Sequence, residues 1–158
     1  MIIRPAVEKD LETMAQLTRD ALSFASSPDP YHWAGTEKKL EERLHTYLSG
    51  KKGTALVAEI DGAVVGFIAA HFDELDPEHP DRGAIIDLLA VSQEQRGFGF
   101  GTNLVRELMT TLPEHKITRI NVDVLCANDT AVRFWRRLGF HDLAVTMTVE
   151  LGSKENSE

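Results

Sequence analysis

A single cysteine, Cys126, stands in the 158 residues, which leaves no internal disulfide and no metal site built on paired cysteines. The six histidines include none in H-E-x-x-H spacing, and no metal is expected. No apolar run approaches the ~20 residues needed to cross a bilayer, so no membrane partner is expected. Positive charge is also scarce: 17 Lys and Arg face 25 Asp and Glu, for a formal net charge of -8. A nonspecific nucleic-acid binder needs a basic face, and nucleic acid is therefore set aside as a partner. Acidity of this size is compatible with a cationic small substrate, but an ordinary solubilising surface is the default reading. The opening MIIRPA lacks a basic stretch followed by an apolar run and a small-residue cleavage site. No secretory signal is expected there, and a cytoplasmic setting is.

What remains is ordinary for a soluble globular chain, with 42% hydrophobic and 27% charged residues and no internal repeat. The length suits one domain, read here as residues 1–151, with 152–158 as a disordered tail. Met1 to Arg4 reads as an edge strand stopped by Pro5. Leu11, Met14, Leu17, Ala21 and Leu22 recur at helical spacing, and prolines at 28 and 30 break that helix. Thr36 can cap a second helix with Leu40, Leu44 and Leu48 on one side. Two β-branched runs, Thr54 to Ile60 and Ala63 to Phe72, flank Asp61-Gly62, a strong hairpin signal because both turn residues tolerate positive φ. Ile117 to Val124 is a further strand. Asn128-Asp129-Thr130 can cap a short helix closed by Gly139, and Phe140 to Leu151 reads as strand.

The segment Ala84 to Leu112 carries the chemistry. An apolar strand, AIIDLLAV, runs through the turn SQEQRGFGFG into a helical run, TNLVRELMTTL. The N–H groups of a helix's first turn have no partner inside the helix, and the helix dipole adds partial positive charge there. Glycines at 97, 99 and 101 remove the Cβ atoms that would hold a phosphate away, and Arg96 adds charge. The turn is thus an anion site. Strand, helix and strand in succession imply a right-handed crossover with parallel strands, whose ligand end is the carboxyl end of the strands. A dinucleotide-binding unit is the rival, with Asp123 about twenty residues on. Its G-x-G-x-x-G pattern, however, wants the third glycine one residue later than Gly101.

Three features stand in one order: a hairpin before the β-α-β unit, R-x-x-G-x-G at Arg96 to Gly101, and N-x-x-A-x-x-F-W-x-x-x-G-F from Asn128 to Phe140. Together they resemble the GCN5-related N-acetyltransferase (GNAT) superfamily over roughly residues 1 to 151. The resemblance implies the acyl-CoA N-acyltransferase fold of mixed α/β (α+β) class. Such a sheet is mostly antiparallel, with a central parallel splayed strand pair flanked by helices. It also implies acetyl-CoA as acyl donor and an amine-bearing small molecule or peptide as acceptor. Carried over residue by residue, the pyrophosphate falls to Arg96, Gly97, Phe98, Gly99, Phe100, Gly101 and Thr102. The pantetheine arm falls to Leu89, Ala90 and Val91. Asn128 and Trp135 also come to the cofactor, and a homodimer is compatible with the family.

Acetyl transfer to an amine needs a base for the ammonium proton, donors for the oxyanion and a route for the thiolate to leave. Asp87, the charged residue within AIIDLLAV, is the first candidate base, since an acid in so apolar a run either projects from the sheet or has a partner. It shares the alternation of Leu89 and Val91, which would turn it into the same groove. Asp123 is the second candidate; Glu59, His71 and Asp73 follow. The backbone N–H of Leu89 or a neighbour is the expected oxyanion donor. Cys126 raises a covalent acetyl-enzyme, although a lone cysteine on a strand is more often a small buried hydrophobe.

The departure from the family pattern is Trp135, where many members carry a Tyr that protonates the departing sulfur. Indole N–H donates a hydrogen bond without serving as an acid. Tyr31, Tyr47 or water is left to replace it. The missing Tyr keeps open a noncatalytic acyl-CoA-binding regulatory module. Tyr31 and Trp33, with His32, suggest an aromatic wall for a cationic acceptor, aided by the acids Asp73, Glu74 and Asp76.

Overall fold

A computed structural model describes residues 1–23 and 37–152. Five strands form one sheet in the order of the chain: β1 (Ile2–Pro5), β2 (Gly53–Ile60), β3 (Ala63–Phe72), β4 (Arg82–Val91) and β5 (Ile117–Val122). Neighbours pair antiparallel as far as β4, and β4 pairs parallel with β5. The hairpin turn has Asp61 at φ 49° and Gly62 at φ 82°, the positive-φ pair whose twist matches that of the flanking strands. Helices α1 (Leu11–Ser23) and α2 (Glu37–Tyr47) precede the hairpin, α3 (Phe100–Thr111) crosses from β4 to β5, and α4 (Asp129–Arg137) follows. Thr36, the expected cap of α2, lies outside the described residues. Among the described residues no helix is long and apolar enough to cross a membrane.

Period-two alternation gives the sheet two apolar faces. Leu56, Ala58, Ile68 and Ile86 pack against Leu104, Val105 and Leu108 of α3 on one side; Val57, Phe67, Ala69 and Ala90 meet Met14, Leu17, Leu44 and Tyr47 on the other. Helices thus cover both faces, as the mixed α/β class requires.

One charged cluster ties the first strand into this arrangement. Arg4 Nη1 and Nη2 donate to the Asp10 carboxylate at 2.7 and 2.9 Å, and its Nε donates to Glu59 at 2.8 Å. Asp10, only 4% exposed, also accepts from the Val7 N–H, which fixes the turn into α1. Hydrogen bonding from Arg4 is the main cause holding the Asp10 carboxyl below its ordinary range, against the opposing cost of burial. A folded-state pKa lowered in this way contributes stability that is present above about pH 4 and is lost as pH falls through the folded value. Asp10→Ala is expected to destabilise by about 2–3 kcal/mol, since it removes bonds to a charged partner, and to flatten the acid limb of the stability curve. Urea unfolding at pH 7 and below pH 4 measures both.

The expected last strand does not form. From Leu138 to Gly152 the chain has no regular secondary structure; Phe140 is half-buried against the core, and the alternating segment from His141 to Leu151 lies exposed. A strand is defined by its neighbour's hydrogen bonds, and among the described residues the segment pairs with none.

Candidate active site

The turn after β4 is built as an open cradle. Ser92 N–H donates to the Val65 carbonyl at 2.8 Å and a single 3₁₀ turn, Gln93–Gln95, follows. Gly97 and Gly99 then take φ 84° and 85°, in the left-handed region that an L residue enters only at a cost. A Cβ added to either would meet nothing within 4 Å, so the space above the turn is open to a ligand. Gly99 is the N-cap of α3, and the first helical bond there runs from Asn103 N–H to Gly99 O at 3.0 Å. The N–H groups of Phe100, Gly101 and Thr102 stand ahead of that ladder, the arrangement that suits an anion. Phe100 is 8% exposed and anchors the turn in the core, whereas Phe98 is 74% exposed. Arg96 lies back along the strand, its Nε donating to the Val91 carbonyl at 3.2 Å. Gly101 faces Phe134 of α4, which joins the two sequence motifs in space.

Upstream of the cradle, β4 and β5 separate. Their pairing runs from Arg82/Ile117 to Ile86/Val122 and stops, while β4 continues to Val91 and stays paired with β3 on its other side. The edge of β4 holding Leu89, Ala90 and Val91 is therefore open on the β5 side. Backbone N–H and C=O groups along such an edge can receive an extended, amide-bearing ligand as a strand would be received.

Asp87 sits where the strands part, and a bulge decides its direction. Ala69 pairs with Leu88 but Ala70 pairs with Ile86, which makes Asp87 the extra residue on β4. Bulges re-aim side chains in this way. The expectation that Asp87 shares a face with Leu89 and Val91 is corrected: those two pack toward α3, while Asp87 turns to the α1/α2 face. There it is 8% exposed at the side chain and accepts three contacts. Tyr47 donates its hydroxyl to Oδ2 at 2.7 Å, His71 Nδ1 lies 2.6 Å from the same oxygen, and Arg43 Nη2 is 3.3 Å from Oδ1. Arg43 Nε also donates to the Tyr47 oxygen at 3.3 Å. Burial, and then the adjacent Asp87 carboxylate, push the Tyr47 hydroxyl well above its ordinary pKa, with Arg43 opposing. Tyr47 thus stays protonated as a donor to Asp87.

This cluster was only partly legible beforehand. Arg43 stands four residues before Tyr47, which puts both on one face of a helix, but only the packing of α2 over the sheet brings it to Asp87. The other acids are engaged or apart. Glu59 pairs with Arg4 at 2.8 Å, Asp73 with Arg119 at 3.5 Å, and Asp123 lies exposed just past the end of β5. Cys126 is exposed, which corrects its reading as a buried hydrophobe; it lies beyond β5, where no strand covers it. Asn128 caps α4, its side-chain oxygen accepting from the Ala131 N–H at 3.1 Å. Trp135 is 8% exposed and packs edge-on against Phe134 and Phe140, with ring centroids 5.0 and 5.1 Å away. Tyr31, His32 and Trp33 lie outside the described residues.

Comparison with known proteins agrees with this fold. The family described as Acetyltransferase (GNAT) family matches residues 13–140. An uncharacterized N-acetyltransferase of Methanocaldococcus jannaschii is 32% identical over 145 residues, covering 90% of this chain and 79% of that protein. L-2,4-diaminobutyric acid acetyltransferase of Nocardia farcinica is 35% identical over 80 residues, which is 51% of this chain and 39% of that one. The chain thus spans well under half the length of that relative. A crystal structure of a mutant Bacillus halodurans protein superimposes with a TM-score of 0.80 at 26% identity, covering 96% of this chain and 99% of the other.

Proposed function

The chain belongs to the acetyltransferase (GNAT) family, and on that premise we propose that it moves the acetyl group of acetyl-CoA to a primary amine by direct attack in a ternary complex. Acetyl-CoA is the donor substrate and supplies an activated acyl group when bound. The residues present fit it: open Cβ positions at Gly97 and Gly99, free N–H groups at the start of α3, and the unpaired edge of β4. The acceptor is an amine-bearing small molecule or peptide. An amine acceptor agrees with the diaminobutyric acid acetyltransferase relative, whose name specifies a diamino acid.

The observation that carries the reading is the His71–Asp87 contact at the point where β4 leaves β5. An ammonium of pKa roughly 10.4 must lose a proton before it can attack. With Asp87 accepting from Nδ1–H, the His71 tautomer has Nε2 as the proton acceptor. His71 is 41% exposed at the side chain and reachable by an acceptor. Asp87 stabilises the imidazolium that forms, and Tyr47 and Arg43 hold Asp87 in place. Tyr47 is a poorer acid than a free phenol here, which argues against it as the proton donor that replaces the missing family Tyr. A thiolate whose thiol has a pKa of roughly 8.5 can depart unprotonated or take a proton from water.

CoA release, followed with a thiol reagent against amines, polyamines, aminoglycosides and peptides, tests the proposal. Turnover with at least one amine class is expected. Acetyl-CoA binding without turnover across the whole panel would instead favour a noncatalytic acyl-CoA-binding module.

A further inference from the structure

Beyond Phe140 the chain carries a strand pattern that it does not use itself. Leu143, Val145, Met147, Val149 and Leu151 alternate with polar or small residues, and their exposures run from 72% to 89%. Period-two alternation is the signature of a strand with one buried face, and so regular an apolar row in water marks an interaction surface. The root of this arm is fixed. Gly139 turns the chain at φ 94°, Phe140 packs against Trp135 at 5.1 Å, and Arg136 Nη2 donates to Asp142 at 2.9 Å. Beyond that root every residue from His141 to Leu151 is exposed.

A matching vacancy lies on the same chain. Among the described residues β5 pairs with β4 alone, so its outer edge is open. Its inward row, Ile120, Val122 and then Val124, is only partly buried against the α3-side core. An open edge beside a half-covered apolar row is what an added strand completes, with main-chain bonds along the edge and alternate side chains over the row. Since the arm's apolar residues lie exposed while, among the described residues, the outer edge of the chain's own β5 stays unpaired, the occupant that fits is another copy of the chain. Exchange of an identical element about a two-fold axis satisfies both copies at once.

We infer that residues 142–151 of one copy add to the free edge of β5 of a second copy, and that the protein is an arm-exchanged dimer. Light scattering at micromolar concentration should give twice the 17.6 kDa chain mass. The substitutions Met147→Lys and Val149→Lys together should return it to the chain mass while leaving the circular dichroism of the body unchanged. Amide hydrogen exchange supplies a second readout. Amides of 142–151 and of 117–124 should be protected together in the dimer, and both should lose protection as dilution dissociates it. Three results would each overturn the inference: a monomer whose arm is protected at every concentration, which places the arm on its own β5; a dimer indifferent to the two lysines; or arm protection with no change along β5.

Discussion

Replacing Gly99 with glutamate is expected to weaken acetyl-CoA binding by at least about 100-fold, a loss of roughly 2.8 kcal/mol by calorimetric titration. Two causes act together. At φ 85° an L side chain is strained by about 1–2 kcal/mol, and a carboxylate in the open space above the turn meets the pyrophosphate as a like charge. Companion variants separate them. Gly99→Asn tolerates the left-handed backbone and should keep near-native thermal stability, whereas Gly99→Ala pays the strain without the charge and should lose only a few-fold in affinity. Unchanged acetyl-CoA affinity in a folded Gly99→Glu protein would remove the phosphate assignment.

Asp87→Asn is expected to lower kcat by about 10²–10⁴, the range typical of losing general-base assistance, with little change in KM for acetyl-CoA. Asparagine with its oxygen at the Oδ2 position can still accept from Tyr47 and His71, but it is neutral, so it no longer stabilises the imidazolium, and it turns an N–H toward Arg43 in place of a carboxylate oxygen. His71→Ala should cost a similar factor. The double variant should cost little more than either single one, because the pair acts as a unit. Steady-state kinetics with the best amine of the panel measures all three, and a melting curve confirms that the variants are folded. A kcat within threefold of the parent for Asp87→Asn would place the base elsewhere, with the exposed Asp123 next in line.

The difference between these two sites in legibility has a physical basis. A cradle of main-chain N–H groups depends on local backbone geometry, which Gly97, Gly99 and the following helical run largely dictate, so it can be read from a contiguous stretch. The His71–Asp87 pair depends on a bulge between Ala69/Leu88 and Ala70/Ile86, a register feature that alternation within β4 does not reveal. Without the bulge, Asp87 would follow Leu89 and Val91 toward α3. The contribution of Arg43 depends on α2 packing over the sheet, again a tertiary matter. Hairpin, crossover helix and Asn128 cap were legible because turn chemistry and capping are local. The segment from Phe140 to Leu151 shows the converse: its alternation is plain, yet a strand also needs a partner, and the sequence of one chain does not say where that partner lies.

The most direct measurement is a crystal structure with CoA bound. Pyrophosphate oxygens are expected about 3 Å from the N–H groups between Gly97 and Thr102, with the pantetheine along Leu89 to Val91 and the thiol at the parting of β4 and β5, within reach of the side holding His71 and Asp87. A pyrophosphate bound away from the glycine turn, or a thiol walled off from the His71–Asp87 pair, would contradict that assignment.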